Sequence, residues 1–152
     1  MEKHQYNVTL KWQTDRKGLL CSPELKINPS ATPSCIEVAT PPEFPKGMPN
    51  IWSPEHLFTA SVSSCLMTTF LAIAENSKLG FSSFSCNATG ILAMEEGKYA
   101  MTEIILATTV TIDEEKDRER AERILQKSEA ACLITNSIKS KVSLNITINV
   151  RQ

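Results

Sequence analysis

Polar and apolar positions alternate at the start of the chain. Tyr6, Val8, Leu10 and Trp12 fall on one side and Gln5, Asn7, Thr9 and Lys11 on the other, the period of two that marks a half-buried strand. Thr14-Asp15-Arg16-Lys17-Gly18 predicts a hairpin turn in which Gly18 adopts a positive φ. A second strand is expected through Leu19, Leu20 and Cys21. All eight prolines lie between Pro23 and Pro54, which argues against a long helix or a central strand there. A short strand over 34–39 and an irregular, ordered loop over 40–52 fit that stretch.

The pattern then changes. Ser53, Pro54 and Glu55 open a helix: serine suits the N-cap, proline the first helical position, and glutamate the positive end of the dipole. No Asp, Glu, Lys or Arg occurs from His56 to Ala74, and Gly80 is the expected stop. The uncharged run approaches the length of a membrane span. Its hydroxyls (Thr59, Ser61, Ser63, Ser64, Thr68, Thr69) and the alternating strands around it favour a core helix buried on all sides. In a chain this short, burial on all sides predicts a second subunit.

Residues 83–112 read as a long hairpin turned at Glu95-Glu96-Gly97-Lys98, with Ile104, Leu106, Thr108, Val110 and Ile112 on one face. Asp113 is expected to cap a charged helix running from Glu114 to about Ala130. Its inward stripe is Ala121, Ile124, Leu125, Ser128 and Cys132. The chain closes on the alternation Leu144, Ile146, Ile148, Val150. Strands, helix, strands, helix and strand make an α+β fold, with strands curled against a central helix in one domain over 1–152.

Composition narrows the partners. Sixteen Lys and Arg against seventeen Asp and Glu leave no basic excess, so neither nucleic acid nor an anionic membrane is an expected partner. The first residues lack the pattern of a secretory signal, and a cytoplasmic location is expected. The five cysteines are odd in number, widely spaced and without a CxxC pair, so a disulfide framework is not expected. His4 and His56 stand at no ligand spacing to a cysteine, and a metal site is not expected. Either inert buried thiols or reactive ones remain.

Cys65 sits in the least polar stretch of the chain. Burial alone would raise its pKa and silence it. The dipole fades beyond the first helical turn, so an activating cation has to come from another element, and Arg16 on the first hairpin tip is the candidate. Glu55 and Cys65 lie roughly 15 Å apart along one helix axis. They can share a site only if two copies of the helix pack across a dimer axis. On spacing alone, Glu55 reads as dipole matching and Arg16 as a solvated turn residue. Cys21, Cys35 and Cys86 read as strand or loop thiols without a motif, His56 as a packing or hydrogen-bonding residue, and Tyr6 and Trp12 as core.

The run Trp52-Ser53-Pro54-Glu55-His56-Leu57-Phe58-Thr59-Ala60-Ser61-Val62-Ser63-Ser64-Cys65 resembles the first signature of the OsmC/Ohr family of thiol peroxidases. Ala131-Cys132-Leu133-Ile134-Thr135-Asn136-Ser137-Ile138-Lys139 resembles the second, built around Cys-Pro-x-Ser-Asn, with Leu133 in place of the proline. Asp15-Arg16-Lys17-Gly18 is similar to the family's Gly-Arg-x-Gly turn, with Asp15 for the first glycine. The resemblance implies an OsmC-like fold, an antiparallel sheet curled around a long central helix, in an intertwined homodimer.

It also implies a peroxidatic Cys65, a resolving Cys132, an activating Arg16 and an orienting Glu55. No metal or organic cofactor is implied. The substrate would be a hydroperoxide, and the reductant an external dithiol such as a lipoylated protein or thioredoxin. Apolar walls such as Leu66, Met67 and Phe70 would favour organic hydroperoxides over hydrogen peroxide. Two other readings use the same fold: a non-catalytic dimer holding a small apolar ligand, and a thiol redox sensor.

Overall fold

The N-terminal alternation forms an antiparallel sheet in the computed structural model, which describes residues 1–28 and 32–152. Strands β1 (Thr9–Thr14), β2 (Lys17–Lys26) and β3 (Pro33–Ala39) lie in that order. They belong to the first of two units into which the chain divides, Met1–Leu57 and Phe58–Gln152. Asp15, not Gly18, carries the positive φ of the first turn, at 46°. The Trp12 indole N–H, 3.1 Å from the Asp15 carbonyl, ties the strand to that turn. Gly18 is a strand residue opposite Trp12, and a Cβ there would come 3.0 Å from the Lys11 carbonyl oxygen.

Three expectations for this unit are corrected. The first strand is not half-buried: Leu10 is 64% and Trp12 76% exposed, and Tyr6 and Val8 are open as well. Among the described residues of this unit, no second sheet covers that face. Second, β2 continues through Pro23 as the middle strand of the three. The proline is tolerated because the β2–β3 register shifts between Cys21 and Lys26, where no regular ladder needs its missing N–H. Third, Cys21 and Cys35 are bonded to each other. Pairing of β2 with β3 sets the two opposite one another, a relationship that linear spacing does not carry. Pro29, in the proline-rich stretch, lies outside the described residues.

Loop 40–52 is irregular, as expected, with positive φ at Lys46 and Asn50. Gly47 is required there, because a Cβ would collide with the Pro41 carbonyl. Ser53 then caps helix α1 (Pro54–Asn76). Its Oγ accepts from the His56 backbone N–H at 3.2 Å, while His56 Nδ1 accepts from the Ser53 backbone N–H at 3.3 Å. This is a capping box with histidine in the usual place of glutamate.

In the second unit, β4 (Phe81–Glu95), β5 (Lys98–Ile112) and β6 (Lys141–Val150) form a sheet in that order. Glu96 and Gly97 take φ of 49° and 77° at the predicted hairpin turn, the left-handed pair that a tight hairpin favours. β4 and β5 run antiparallel, but β5 and β6 run parallel. The α+β class stands, with a mixed sheet here. A parallel pair needs a crossover, supplied by helix α2 (Arg118–Ala131) between the 3₁₀ turns Glu115–Asp117 and Thr135–Ser137.

The α2 stripe is the predicted one: Ala121, Ile124, Leu125, Ser128 and Cys132 are all buried. The expected cap at Asp113 is not: the α-helix starts at Arg118, because Asp113 closes the strand end by donating its N–H to the Gly80 carbonyl at 3.2 Å.

Helix α1 is long and apolar enough to cross a membrane by length and composition. In this fold it buries one stripe, Val62, Leu66, Phe70 and Ala74, against Ile104, Leu106, Val110 and Ile112 of β5. Phe70 packs between the rings of Phe81 and Phe84, with centroids 5.2 and 5.1 Å away. Gly90 of β4 admits Thr59 of the helix, whose Oγ1 a Cβ would strike. The helix is not buried all round in the single chain: Met67 is 38% and Leu71 41% exposed. The four buried residues are spaced by four, so they cover one side of a 3.6-residue helix only.

Candidate active site

Cys65 follows Ser64 on the flank of the buried α1 stripe and is half-buried. Thr69 stands one turn later, with Oγ1 4.0 Å from the Cys65 sulfur. Residues four apart on a helix share a face, so this neighbour is readable in the sequence.

Cys132 reaches the same place from α2. It is the C-cap of that helix, with φ −63° and ψ 113°, so the chain leaves helical geometry at this residue. The following turn is closed by its own polar groups. Asn136 donates its backbone N–H to the Cys132 carbonyl at 3.0 Å and its side-chain amide to the Ala130 carbonyl at 3.2 Å. Ser137 Oγ donates to the Leu133 carbonyl at 2.6 Å. Asn136 and Ser137 thereby hold the backbone of Leu133 and Ile134 in place beside Cys65.

The two thiols ionise in opposite senses. Burial pushes the Cys65 thiol up. Hydrogen bonds from the Cys132 side chain, the Ile134 backbone N–H, the Thr69 hydroxyl and the Leu133 backbone N–H outweigh it, and the Cys65 pKa is lowered. Burial and the hydrogen bond to Cys65 both push Cys132 up, more than donors at Thr135 offset. The thiolate is thus favoured at Cys65 and the thiol at Cys132. Among the described residues, the groups that lower Cys65 are neutral donors and not the cation expected from the sequence.

Arg16 and Glu55 lie in the first unit. Arg16 is exposed at the β1–β2 turn and lines a pocket of about 330 Å³ with Leu10, Trp12, Val38 and Ala39. A neighbouring pocket of about 420 Å³ adds Lys46 and Met48 around the same arginine. Glu55 is half-buried in the first turn of α1, where the dipole favours a carboxylate. Ser53 Oγ and His56 Nδ1 are 2.7 Å apart, so His56 has the hydrogen-bonding role expected of it. Of the three proposed apolar walls, Leu66 and Phe70 are fully buried core, and Met67 alone is exposed. Cys86 is half-buried on β4, with the Thr108 hydroxyl 3.4 Å from its sulfur. Among the described residues, no group of three or more His, Cys, Asp or Glu could hold a metal ion.

The fold thus sets one thiol on helix α1 and brings a second to it from the end of the crossover helix α2. The family model of the OsmC-like proteins matches residues 47–147, and the chain belongs to that family. The uncharacterized protein YmaD of Bacillus subtilis is 22% identical over 102 residues, covering 65% of this chain and 68% of that protein. Among solved structures, an OsmC-like protein of unknown function from Vibrio cholerae superposes with a TM-score of 0.82 at 22% identity, over 95% of this chain and all of that one. An organic hydroperoxide resistance protein from Elizabethkingia anophelis gives a TM-score of 0.71 at 18% identity, over 99% of this chain and 100% of that one.

Proposed function

We propose that the protein is a cysteine-based thiol peroxidase that reduces organic hydroperoxides. One arrangement carries this reading: Cys65 on α1 and Cys132 at the end of α2 come within hydrogen-bonding reach of each other, the first thiol lowered and the second raised. That is the division of labour between an attacking and a resolving cysteine. Membership of the OsmC-like family and the fold shared with a hydroperoxide resistance protein support it.

The Cys65 thiolate attacks the distal peroxide oxygen, the O–O bond breaks, and the alkoxide leaves and takes up a proton as the alcohol. Cys65 is left as a sulfenic acid. The Cys132 sulfur attacks the Cys65 sulfur, hydroxide leaves and is protonated to water, and a Cys65–Cys132 disulfide forms. An external dithiol reduces that bond by exchange and is itself oxidised to a disulfide. In this reading Arg16 holds the peroxide oxygen and Glu55 orients Arg16 through a bidentate ion pair. No metal or organic cofactor takes part, and the chain works as a single domain in the cytoplasm.

The protein acts as a homodimer. The open faces of the single chain support this: Leu10 and Trp12 on β1, and Met67 and Leu71 on α1, are large apolar side chains left exposed. The test of function is peroxide consumption in the presence of dithiothreitol. Turnover of cumene hydroperoxide faster than of hydrogen peroxide, and loss of turnover to background in Cys65→Ser, are the expected results. Undiminished turnover in Cys65→Ser contradicts the proposal.

A further inference from the structure

The Cys21–Cys35 bond stands apart from this chemistry. It joins adjacent antiparallel strands at directly opposed positions, with Cα atoms 4.3 Å apart. That separation is typical of the closer, non-hydrogen-bonded pairs of an antiparallel ladder, and it lies at the short edge of the range over which disulfides are usually found. The bond therefore spans a gap set by the sheet and not by the sulfurs.

The ladder does not depend on the bond. Leu20 pairs with Ile36, Leu19 with Glu37, Gly18 with Val38 and Lys17 with Ala39 on one side, and Lys26 with Pro33 on the other. An ion pair of Lys17 with Glu37 at 2.5 Å adds to the same strands. Opening the disulfide leaves the strands in register, so reduction does not require unfolding. Access is present too. Both cysteines are half-buried, β3 is an edge strand of this sheet, and Cys35 is flanked by exposed Ser34 and Ile36. Disulfides with these features are the exchangeable ones. In a reducing compartment a bond of this kind is transient and redox-active.

We propose that Cys21 and Cys35 form a second thiol–disulfide exchange site, served by a dithiol reductant and separate from Cys65 and Cys132. A thiolate of the reductant attacks the Cys35 sulfur, the Cys21–Cys35 bond breaks, and Cys21 leaves as a thiolate and takes up a proton. The second thiol of the reductant then attacks its own sulfur in the mixed disulfide and releases Cys35. Two electrons pass to the protein, and the reductant closes to a disulfide. The released Cys35 thiolate takes up a proton from solvent, and the Pro33 carbonyl oxygen, 3.7 Å from the Cys35 sulfur, is positioned to accept a hydrogen bond from the new thiol. The site rests on the proposed peroxidase reading only for the presence of such a reductant in its compartment.

The experiment is a redox titration of the folded protein in mixtures of reduced and oxidised dithiothreitol. The samples are quenched with iodoacetamide and each cysteine is mapped by peptide mass. Wild type is measured beside the Cys65→Ser/Cys132→Ser variant, and mapping in wild type suffices should that variant not fold. Cys21 and Cys35 are expected to pass together from bonded to alkylated, by the same transition in both proteins, with an unchanged circular dichroism spectrum. A bond that yields only after denaturant is added overturns the proposal, as do two thiols that stay free in oxidised buffer. Failure of Cys65 and Cys132 to pair in the same maps would count against the peroxidase reading and leave this site standing.

Discussion

Cys132 donates a hydrogen bond to the sulfur of Cys65, and this contact lowers one thiol while raising the other. The lower thiol is the one more readily ionised, and the higher one more readily stays a thiol. Among the described residues, the groups that lower Cys65 carry no formal charge. Two backbone N–H groups of the turn after α2, one hydroxyl on α1 and one thiol act together on a single sulfur. Hydrogen bonds to an ionised group are worth more than those between neutral groups, so several neutral donors together favour the thiolate.

The pH dependence of alkylation follows from these directions. Cys65 reacts with iodoacetamide along a profile whose midpoint lies below that of an ordinary thiol, while Cys132 reacts only at higher pH. In stability the two oppose each other. The contribution of Cys65 is present above the pKa of an unfolded thiol and is lost as pH falls through its lowered folded value. That of Cys132 is present below the unfolded value and is lost as pH rises through its raised one. Alkylation rates resolved by peptide mapping between pH 5 and 10 check the order, spanning about the range over which thiols titrate. Equal midpoints for the two cysteines would contradict it.

Leu133 carries a second prediction. The family signature that this segment resembles has proline at that position, and proline has no N–H to offer. Here the Leu133 N–H is one of the donors that lower Cys65. The extended backbone of Cys132, with ψ 113°, suits a following proline, so Leu133→Pro is expected to fold. It should slow oxidation of Cys65 by peroxide at neutral pH by about tenfold, the loss of one charge-assisted hydrogen bond being about 1.5 kcal/mol. Stopped-flow measurement of the thiol under single-turnover conditions reads this rate. An unchanged rate would show that this N–H does not act on the thiolate.

The start of α1 gives a prediction about stability. Ser53→Ala removes the oxygen that accepts the His56 backbone N–H and is expected to cost about 1 kcal/mol. His56→Ala is expected to cost less, because Ser53 Oγ still caps the helix. Urea unfolding of both variants tests the order. A larger loss for His56→Ala would mean that the imidazole, not the serine, holds the helix start.

Much of this molecule is readable in its residues, because period and capping are local properties. The α2 stripe down to Cys132, the Glu96–Gly97 turn and the Ser53 cap all follow from neighbours within a few positions. The first strand was misjudged because alternation reports which side is apolar and not whether anything covers it; Leu10 and Trp12 stand open. The long helix was misjudged for the same reason, since Met67 and Leu71 match the buried stripe in character but not in position. The Cys21–Cys35 bond depends on the register between strands, which cysteine spacing does not encode. At the site, the motif cysteines were found by resemblance. The donors Leu133 and Ile134 were not, because a backbone N–H has no sequence signal of its own.

The central claim is that Cys65 and Cys132 form one peroxide-reducing pair. Reduced protein given a single equivalent of an organic hydroperoxide, quenched with alkylating agent and analysed by intact mass and peptide mapping, tests it most directly. The account predicts a loss of about two daltons, located as a bond between Cys65 and Cys132. A gain of oxygen on some other residue, or oxidation of Cys65 with Cys132 left fully alkylated, would contradict it.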